Sequence, residues 1–97
     1  MDREVIWSFL ATGDLESIVE HIARDSEYYA AAMSRQLLTA AASLTRFSER
    51  GRIVPEYDDP AIRELIIGPY RLIYRVRPDR VEIARIIHGA RQMVRLD

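Results

Sequence analysis

The sequence contains no cysteine and no lysine. Without cysteine, the chain can form no disulfide, use no thiolate nucleophile and bind no metal through sulfur. All fourteen basic residues are arginine, whose planar guanidinium favours bidentate contacts with carboxylates and phosphates. No apolar run approaches the roughly 18 residues that a membrane-spanning helix needs, and the acidic start of the chain does not resemble a signal peptide. These absences predict a cytoplasmic protein with no membrane partner.

The chain has 97 residues, which predicts a single domain because a second hydrophobic core could not be buried in that length. Its net charge of −1 is unevenly distributed: residues 1–60 hold six arginines and eleven acids, whereas residues 61–97 hold eight arginines and four acids. A near-neutral isoelectric point of about 6.1 argues against strong, unspecific nucleic-acid binding. This isoelectric point is still compatible with a local basic face formed by the last third of the chain.

Periodicity predicts alternating strands and helices. Helical spacing of apolar residues follows an initial β-branched and aromatic run, and Met33, Leu37, Ala40, Leu44 and Phe47 then recur at heptad-like spacing along a second helix. Gly51 follows where a C-terminal cap is expected. The predicted elements are a strand at 3–9, helices at 13–24 and 27–50, a loop at 51–60, strands at 61–67, 70–77 and 80–88, and a short tail.

The last three predicted strands form a meander, because two-residue turns at Gly68-Pro69 and Pro78-Asp79 connect them. One face of this sheet is continuously apolar and is predicted to pack on the helices: Leu65, Ile67, Tyr70, Leu72, Tyr74, Val76, Val81, Ile83 and Ile87. We therefore expect an α+β fold with an N-terminal strand, an antiparallel helical hairpin and a three-stranded antiparallel β-meander, its sheet packed on the two helices.

The opposite face mixes apolar and charged side chains and is too apolar to contact water alone. In the predicted register Arg71 lies between Ile66 and Ile86. Because Glu64 is only diagonal to it, Arg71 is incompletely neutralised and is a candidate for binding a phosphate or a partner's carboxylate. Arg75 is expected in an ion-pair ladder with glutamates on both neighbouring strands. We predict that this face binds a partner through Ile62, Glu64, Ile66, Arg71, Ile73, Arg75, Ile86 and His88.

Familiar catalytic and cofactor motifs are missing from the sequence. His21 and His88 belong to no metal-binding spacing, no serine lies in a GxSxG elbow, and no glycine-rich phosphate loop exists. Hydrolase and nucleotide-binding classes are therefore poorly supported, and no cofactor or metal is expected. His21 is interpreted as a solvated or half-buried helix residue, whereas His88 ends the last strand on the mixed face, as a candidate for proton transfer.

Five segments, taken together and in this order, resemble the RelE/ParE toxin superfamily of type II toxin–antitoxin pairs. The resemblance covers essentially the whole chain, and the combination is more specific than any single segment. The segments are Leu44-Thr45-Arg46-Phe47, Gly51-Arg52-Ile53-Val54-Pro55-Glu56, Ile62-Arg63-Glu64-Leu65, Tyr70-Arg71-Leu72-Ile73-Tyr74-Arg75-Val76 and Ile86-Ile87-His88-Gly89-Ala90-Arg91.

The resemblance implies a small intracellular toxin, from a family linked to plasmid stabilisation, that a cognate antitoxin neutralises in a hetero-oligomer. In the family the antitoxin's carboxy-terminal segment, usually a helix and an extended strand, wraps the toxin. That agrees with the partner-binding face argued from the residues. Members differ in target: RelE-like toxins cut messenger RNA in the ribosomal A site, whereas ParE-like toxins poison DNA gyrase.

The motif residues bear on this choice. Arg71 matches the arginine that RelE-like nucleases use on the scissile phosphate, and Arg91 matches a second arginine after their last strand. The preceding strand, however, reads Ile62-Arg63-Glu64-Leu65 where the nucleases carry lysines, and no tyrosine or histidine follows Arg91. A nuclease variant would use Glu56 as base, Arg71 as phosphate clamp and His88 as acid.

The sequence therefore predicts a ParE-like toxin that binds gyrase without chemistry of its own. The alternatives are a RelE-like endonuclease that acts on the ribosome and messenger RNA, and an antitoxin-binding homologue without activity.

Overall fold

The computed structural model describes residues 2–89 of the chain. Its elements are β1 Glu4–Trp7, α1 Phe9–Ala23, α2 Glu27–Ser43, β2 Arg52–Ile53, β3 Ile62–Ile67, β4 Tyr70–Val76 and β5 Arg80–His88. The strands form one sheet in the order β1-β5-β4-β3-β2, with β1 parallel to β5 and the other pairs antiparallel. The predicted α+β class is confirmed, and β1 and β2 extend the meander at its two edges. No helix within this part of the chain is long and apolar enough to cross a membrane.

Helix α1 begins at Phe9 rather than at residue 13, and β1 ends earlier than predicted. Its N-cap is Ser8, whose hydroxyl oxygen accepts a hydrogen bond from the Ala11 N–H at 3.0 Å. The same hydroxyl donates to the Ala84 carbonyl at 2.9 Å and so ties the start of the helix to β5. The predicted boundary was wrong because Phe9 continues the alternation of β1, whereas the cap depends on this tertiary contact. The helix ends at Ala23, within one residue of the prediction.

Helix α2 begins where predicted but ends at Ser43 rather than at residue 50. The Ser43 hydroxyl donates to the Ala40 carbonyl at 2.6 Å and accepts from Arg50 Nη1 at 2.7 Å. Such side-chain bonds compete with continuation of the helix. The Thr45 carbonyl then accepts from the Arg3 N–H at 2.9 Å, so the chain after α2 turns to bond the residues that precede β1.

The predicted loop 51–60 contains a strand, β2, that pairs with β3. Gly51 leads into it and donates its N–H to the Tyr74 hydroxyl at 2.9 Å. A Cβ at Gly51 would lie 2.5 Å from the Glu64 carbonyl oxygen, a distance that real Cβ atoms do not tolerate. Gly51 is thus required for close backbone approach at the entry to β2, and its predicted role as the cap of α2 was wrong.

The helical hairpin packs on one face of the sheet around the predicted seam. Leu37, Ala40 and Leu44 are buried, whereas Phe47 is 60% exposed because it lies beyond the end of α2. Trp7 packs at the margin of this core. The sheet contributes Leu65, Tyr70, Leu72, Tyr74, Val81, Ile83 and Ile86.

The β3–β4 register is the predicted one, but a bulge alters the register of β4 and β5. The pairing skips Ala84, so Arg71 lies opposite Ile87 rather than Ile86. Because side chains alternate, every residue of β5 after the bulge faces the side opposite to the predicted one. Ile86 therefore packs on the helices, Ile87 packs on the outer face, and His88 lies on the helix side.

Helix α1 contacts β5 beside this bulge. The Asp14 carboxylate accepts a hydrogen bond from the Ile86 N–H at 2.9 Å and forms a bidentate pair with Arg85 at 2.7 and 3.0 Å. The hydrogen bond to Asp14 is the main cause that raises the pKa of Arg85. Nothing in the alternation of residues 80–88 indicates the bulge or the contact with a distant helix beside it.

The two glycines at 51 and 13 provide a matched pair of substitutions. Gly51→Ala is expected to lower the free energy of unfolding by about 1–3 kcal/mol, because its Cβ would overlap the Glu64 carbonyl and the Tyr74 hydroxyl. Gly13 lies inside α1 with open space around its Cβ position, so Gly13→Ala should raise that free energy by about 0.5–1 kcal/mol. Urea unfolding of both variants measures the difference; equal stabilities would contradict the close approach at Gly51.

Candidate functional site

The outer face of the sheet, opposite the helices, is a second small core rather than an exposed surface. The segment after β2 covers it, and its buried members are Val54, Ile62, Ile73, Ala84 and Ile87. The prediction that Ile62 and Ile73 are exposed on this face is therefore wrong, and Ile86 lies on the helix side. Ile66, by contrast, is 56% exposed, and its role as a contact residue stays a prediction.

Four charged residues form a network on the outer face: Arg52, Glu56, Glu64 and Arg71. The Arg71 side chain is 9% exposed and donates from Nε to Glu64 Oε1 at 2.5 Å. Its two terminal nitrogens donate to the two Glu56 oxygens, each at 2.9 Å. The second Glu64 oxygen accepts from Arg52 Nε at 2.6 Å. The predicted incomplete neutralisation of Arg71 is wrong, because the loop and β3 each supply it with a carboxylate.

The network fixes the charges of its members. The hydrogen bond from Arg71 is the main cause that lowers the pKa of Glu56 to about 2, and that bond also raises the pKa of Arg71. Glu64 is fully buried and is held between two guanidiniums. The four charges sum to zero in a bidentate geometry that satisfies planar guanidinium groups.

This arrangement bears directly on the two roles predicted for a nuclease. All three nitrogens of the Arg71 guanidinium donate to carboxylates within the protein, so its charge is already neutralised by Glu56 and Glu64. A carboxyl with a pKa of about 2 is also a weak base at neutral pH. The geometry therefore gives Arg71 and Glu56 a structural pairing and supports neither as a phosphate clamp or a base.

The remaining predicted site residues are separated from this network. His88 lies opposite Tyr70, with the ring centroids 5.9 Å apart, on the helix side of the sheet. The structure thus brings Glu56 and Arg71 together but not His88. Arg75 lies opposite Glu82, as in the predicted ladder, whereas the Glu64 carboxylate binds Arg52 and Arg71 instead. Arg91 lies outside the described residues.

A groove between α2 and β3 was not predicted from the sequence. Its volume is about 750 Å³, and Ile66 lies on its wall. Because β2 pairs with β3 only at Arg63 and Glu64, the outer edge of β3 from Leu65 to Ile67 has no strand partner among residues 2–89. Sequence periodicity could not reveal the groove, since its walls come from α2 and β3, which are far apart in the sequence. Its other lining residues are Ala32, Arg35, Gln36, Thr39, Ala40, Ile67 and Gly68.

Comparison with known proteins gives a consistent result. A family model described as the ParE toxin of the type II toxin–antitoxin system parDE matches residues 5–93. The curated protein Toxin RelE2 of Caulobacter vibrioides is 38% identical over 89 residues, which cover 91% of this chain and 97% of that protein. Both matches span nearly the whole chain.

A solved structure also has this fold. A chain of the chromosomal ParDE TA system from P. aeruginosa superposes with a TM-score of 0.73 at 21% identity. The match covers 89% of this chain and 95% of that chain. At this identity the likeness shows a common fold.

The Glu56–Arg71 pair should make stability depend on pH under acidic conditions. Because the pKa of Glu56 is lowered from 4.5 to about 2 on folding, its contribution is present above pH 4.5 and is lost as the pH falls through about 2. Glu56→Gln should lower the free energy of unfolding by about 1 kcal/mol at pH 7 and by much less near pH 2. The effect at pH 7 is modest because the Glu56 side chain is 40% exposed and solvent screens the pair.

Urea unfolding at pH 7 and at pH 2 measures this difference. Glu16→Gln, at an exposed carboxylate on α1, is the control and should unfold like the wild type at both values. A Glu56→Gln penalty of the same size at both values would contradict the pairing.

Proposed function

This chain belongs to the ParE toxin family of type II toxin–antitoxin systems, and from that membership we propose that it arrests growth by binding and inhibiting DNA gyrase in the cytoplasm. Membership in such a system implies a cognate antitoxin as partner. The toxin in this proposal acts as a binding protein, and the antitoxin silences it in a toxin–antitoxin complex.

The observation that carries the gyrase proposal is the neutralised Arg71. A nuclease needs a cation directed at the scissile phosphate. It also needs a proton acceptor whose pKa lies near the pH at which the enzyme works. Here the guanidinium is engaged by Glu56 and Glu64, and the histidine that would act as acid faces the other side of the sheet. Among the described residues, the side chains proposed for cleavage therefore do not form a catalytic arrangement, which favours action by binding.

Overall charge supports the same choice. A ribosome-dependent nuclease must approach a dense phosphate surface, and association with such a surface gains from a net positive protein. This chain has a net charge of −1, and several arginines of its second half are paired with acids of the same protein. Because these arginines and acids neutralise each other, the protein has little positive electrostatic potential with which to attract ribosomal RNA.

The groove between α2 and β3 is the surface that we assign to the antitoxin. An extended segment could continue the sheet along the open edge of β3 from Leu65 to Ile67, where main-chain hydrogen bonds supply affinity. Ile66 offers an exposed apolar anchor beside that edge, and Arg35 offers a cation for a carboxylate of the segment. The combination fits an antitoxin segment that carries both apolar and acidic side chains.

Gyrase supercoiling with purified components tests the target. Titrating this protein should inhibit supercoiling or trap cleaved DNA, and adding the cognate antitoxin should restore activity. A parallel reaction with ribosomes and messenger RNA is the counter-test and should show no cleavage. Cleavage of messenger RNA within A-site codons, with gyrase unaffected at high toxin concentration, would establish the RelE-like alternative instead; inactivity in both reactions would favour a homologue that only binds its antitoxin.

Ile66→Arg tests the antitoxin groove. Placing a charge at this apolar anchor should weaken antitoxin binding by about 2 kcal/mol or more, roughly thirtyfold, as loss of an interface hot spot does. Isothermal titration with the antitoxin measures the change. Phe47→Arg is the matched control, because Phe47 is 60% exposed and Ile66 is 56% exposed, yet Phe47 follows α2 and does not line the groove.

Ile66→Arg is expected to melt like the wild type, so a loss of affinity would not reflect unfolding. If Phe47→Arg abolishes binding while Ile66→Arg binds normally, the antitoxin occupies another surface.

A further inference from the structure

The outer side of β1 is an open edge of the sheet. Within the described part of the chain, β1 pairs with β5 alone. The Ser8 N–H, just after β1, donates to the Ile83 carbonyl at 2.9 Å. Because the backbone groups of alternate residues point to the same side of a strand, Ile6 also faces β5. Val5 and Trp7 therefore direct their N–H and C=O groups away from the sheet.

The open stretch of backbone is short and has defined ends. Val5 and Trp7 have no backbone hydrogen-bond partner on this side among the residues that the structure describes. At the preceding outward position, the Arg3 N–H already donates to the Thr45 carbonyl at 2.9 Å. At the following outward position, Phe9 begins α1, so its backbone is helical. An unpaired edge of this kind can accept another strand.

The side chains along this edge favour strand pairing. Natural edge strands are often protected by lysine or proline, and β1 contains neither. Val5 and Trp7 pack on the helix side of the sheet, so Ile6 lies on the outer face, where it is 42% exposed. Phe9, at the end of the open stretch, is 92% exposed. The edge thus combines free backbone groups with exposed apolar side chains.

The free groups are spaced so that the edge complements a second copy of itself. In an antiparallel pair of copies, Val5 of one can lie opposite Trp7 of the other, with the two-fold axis between the two Ile6 residues. Every outward N–H then has an outward C=O as its partner. A shift by two residues would place Trp7 opposite Arg3, whose N–H is already bonded, or Val5 opposite the helical Phe9. Among antiparallel registers, the one centred on Ile6 therefore uses all the free groups.

We propose that two copies of this chain associate through their β1 edges, in the antiparallel register centred on Ile6, and so form one continuous sheet. The two Ile6 residues would face each other as a non-hydrogen-bonded pair, with Cα atoms about 4.5 Å apart and both side chains on the outer face. Glu4 would lie opposite Ser8, so no like charges meet. This edge lies across the sheet from β3, so the groove assigned to the antitoxin stays accessible in the dimer.

The mass of the purified chain in solution tests the association without gyrase or antitoxin. The contact is short, and small interfaces hold weak, reversible complexes, so the dimer should form as the protein concentration rises. Sedimentation velocity over a range of concentrations should show a mass that increases from 11.2 kDa toward twice that value. A mass that stays at 11.2 kDa up to the solubility limit would overturn the proposal.

Ile6→Lys and Ile6→Glu test the register. Because Ile6 faces its own counterpart across the axis, each variant alone would bring two like charges together and should weaken association about tenfold or more. A mixture of the two variants places lysine opposite glutamate and should restore the dimer. Ile53→Lys is the matched control, since Ile53 is 37% exposed but lies in β2, at the other edge of the sheet. It should associate like the wild type.

Both isoleucines are exposed, so the three variants should melt like the wild type. Association of either Ile6 variant alone at wild-type strength, a mixture that stays monomeric, or loss of association in Ile53→Lys would each place the contact elsewhere. A monomeric wild type whose antitoxin binding is weakened by Ile6→Lys would also overturn the proposal, because the β1 edge would then receive the antitoxin.

Discussion

The contact between Asp14 and the bulged strand β5 determines much of this structure. A bulge reverses the faces of all residues that follow it in the strand, because side chains alternate along a strand. The Asp14 carboxylate accepts from the Ile86 N–H, two residues after the skipped Ala84, and pairs with Arg85, so one side chain ties α1 to β5 beside the bulge. The consequence reaches the end of the strand, because the bulge decides that Ile86 and His88 face the helices and that Ile87 completes the outer core.

On the outer face, no helix covers the sheet among the described residues; paired charges help to hold the covering segment in place. The segment after β2 has few apolar residues with which to cover the sheet, and Val54 is its buried anchor. The bidentate pair between Glu56 and Arg71 ties the same segment down through charge. Glu64, fully buried, would be an uncompensated charge without Arg52 and Arg71, and breaking such a pair is more damaging than never forming it. Arg52 and Arg71 thus stabilise the fold.

The parts of the fold set by local pattern could be predicted, and those set by distant contacts could not. The β3–β4 register follows from alternation and a two-residue turn, and the seam of α2 follows from helical spacing up to Leu44. The start of α1 depends on a bond from Ser8 to Ala84, and the faces of β5 depend on the bulge, so neither was visible in the sequence. Of the candidate site, Arg71 was predicted as an incompletely neutralised cation and Glu56 only as the base of the nuclease alternative; their mutual pairing across a loop was not predicted.

This pairing bears on how a chain of this family acts. A cation that positions a scissile phosphate must direct its charge at the substrate, whereas a cation that stabilises the fold is neutralised by carboxylates of its own protein. Here Arg71 and Glu64 are buried and satisfied internally, while several large apolar or aromatic side chains are exposed elsewhere: Phe9 is 92% exposed and Tyr28 is 73% exposed. Aromatic and apolar groups are the usual anchors of protein interfaces, and they contribute little to a fold from the surface. The neutralised Arg71 and these exposed aromatic side chains support the proposal that the molecule acts by binding other proteins.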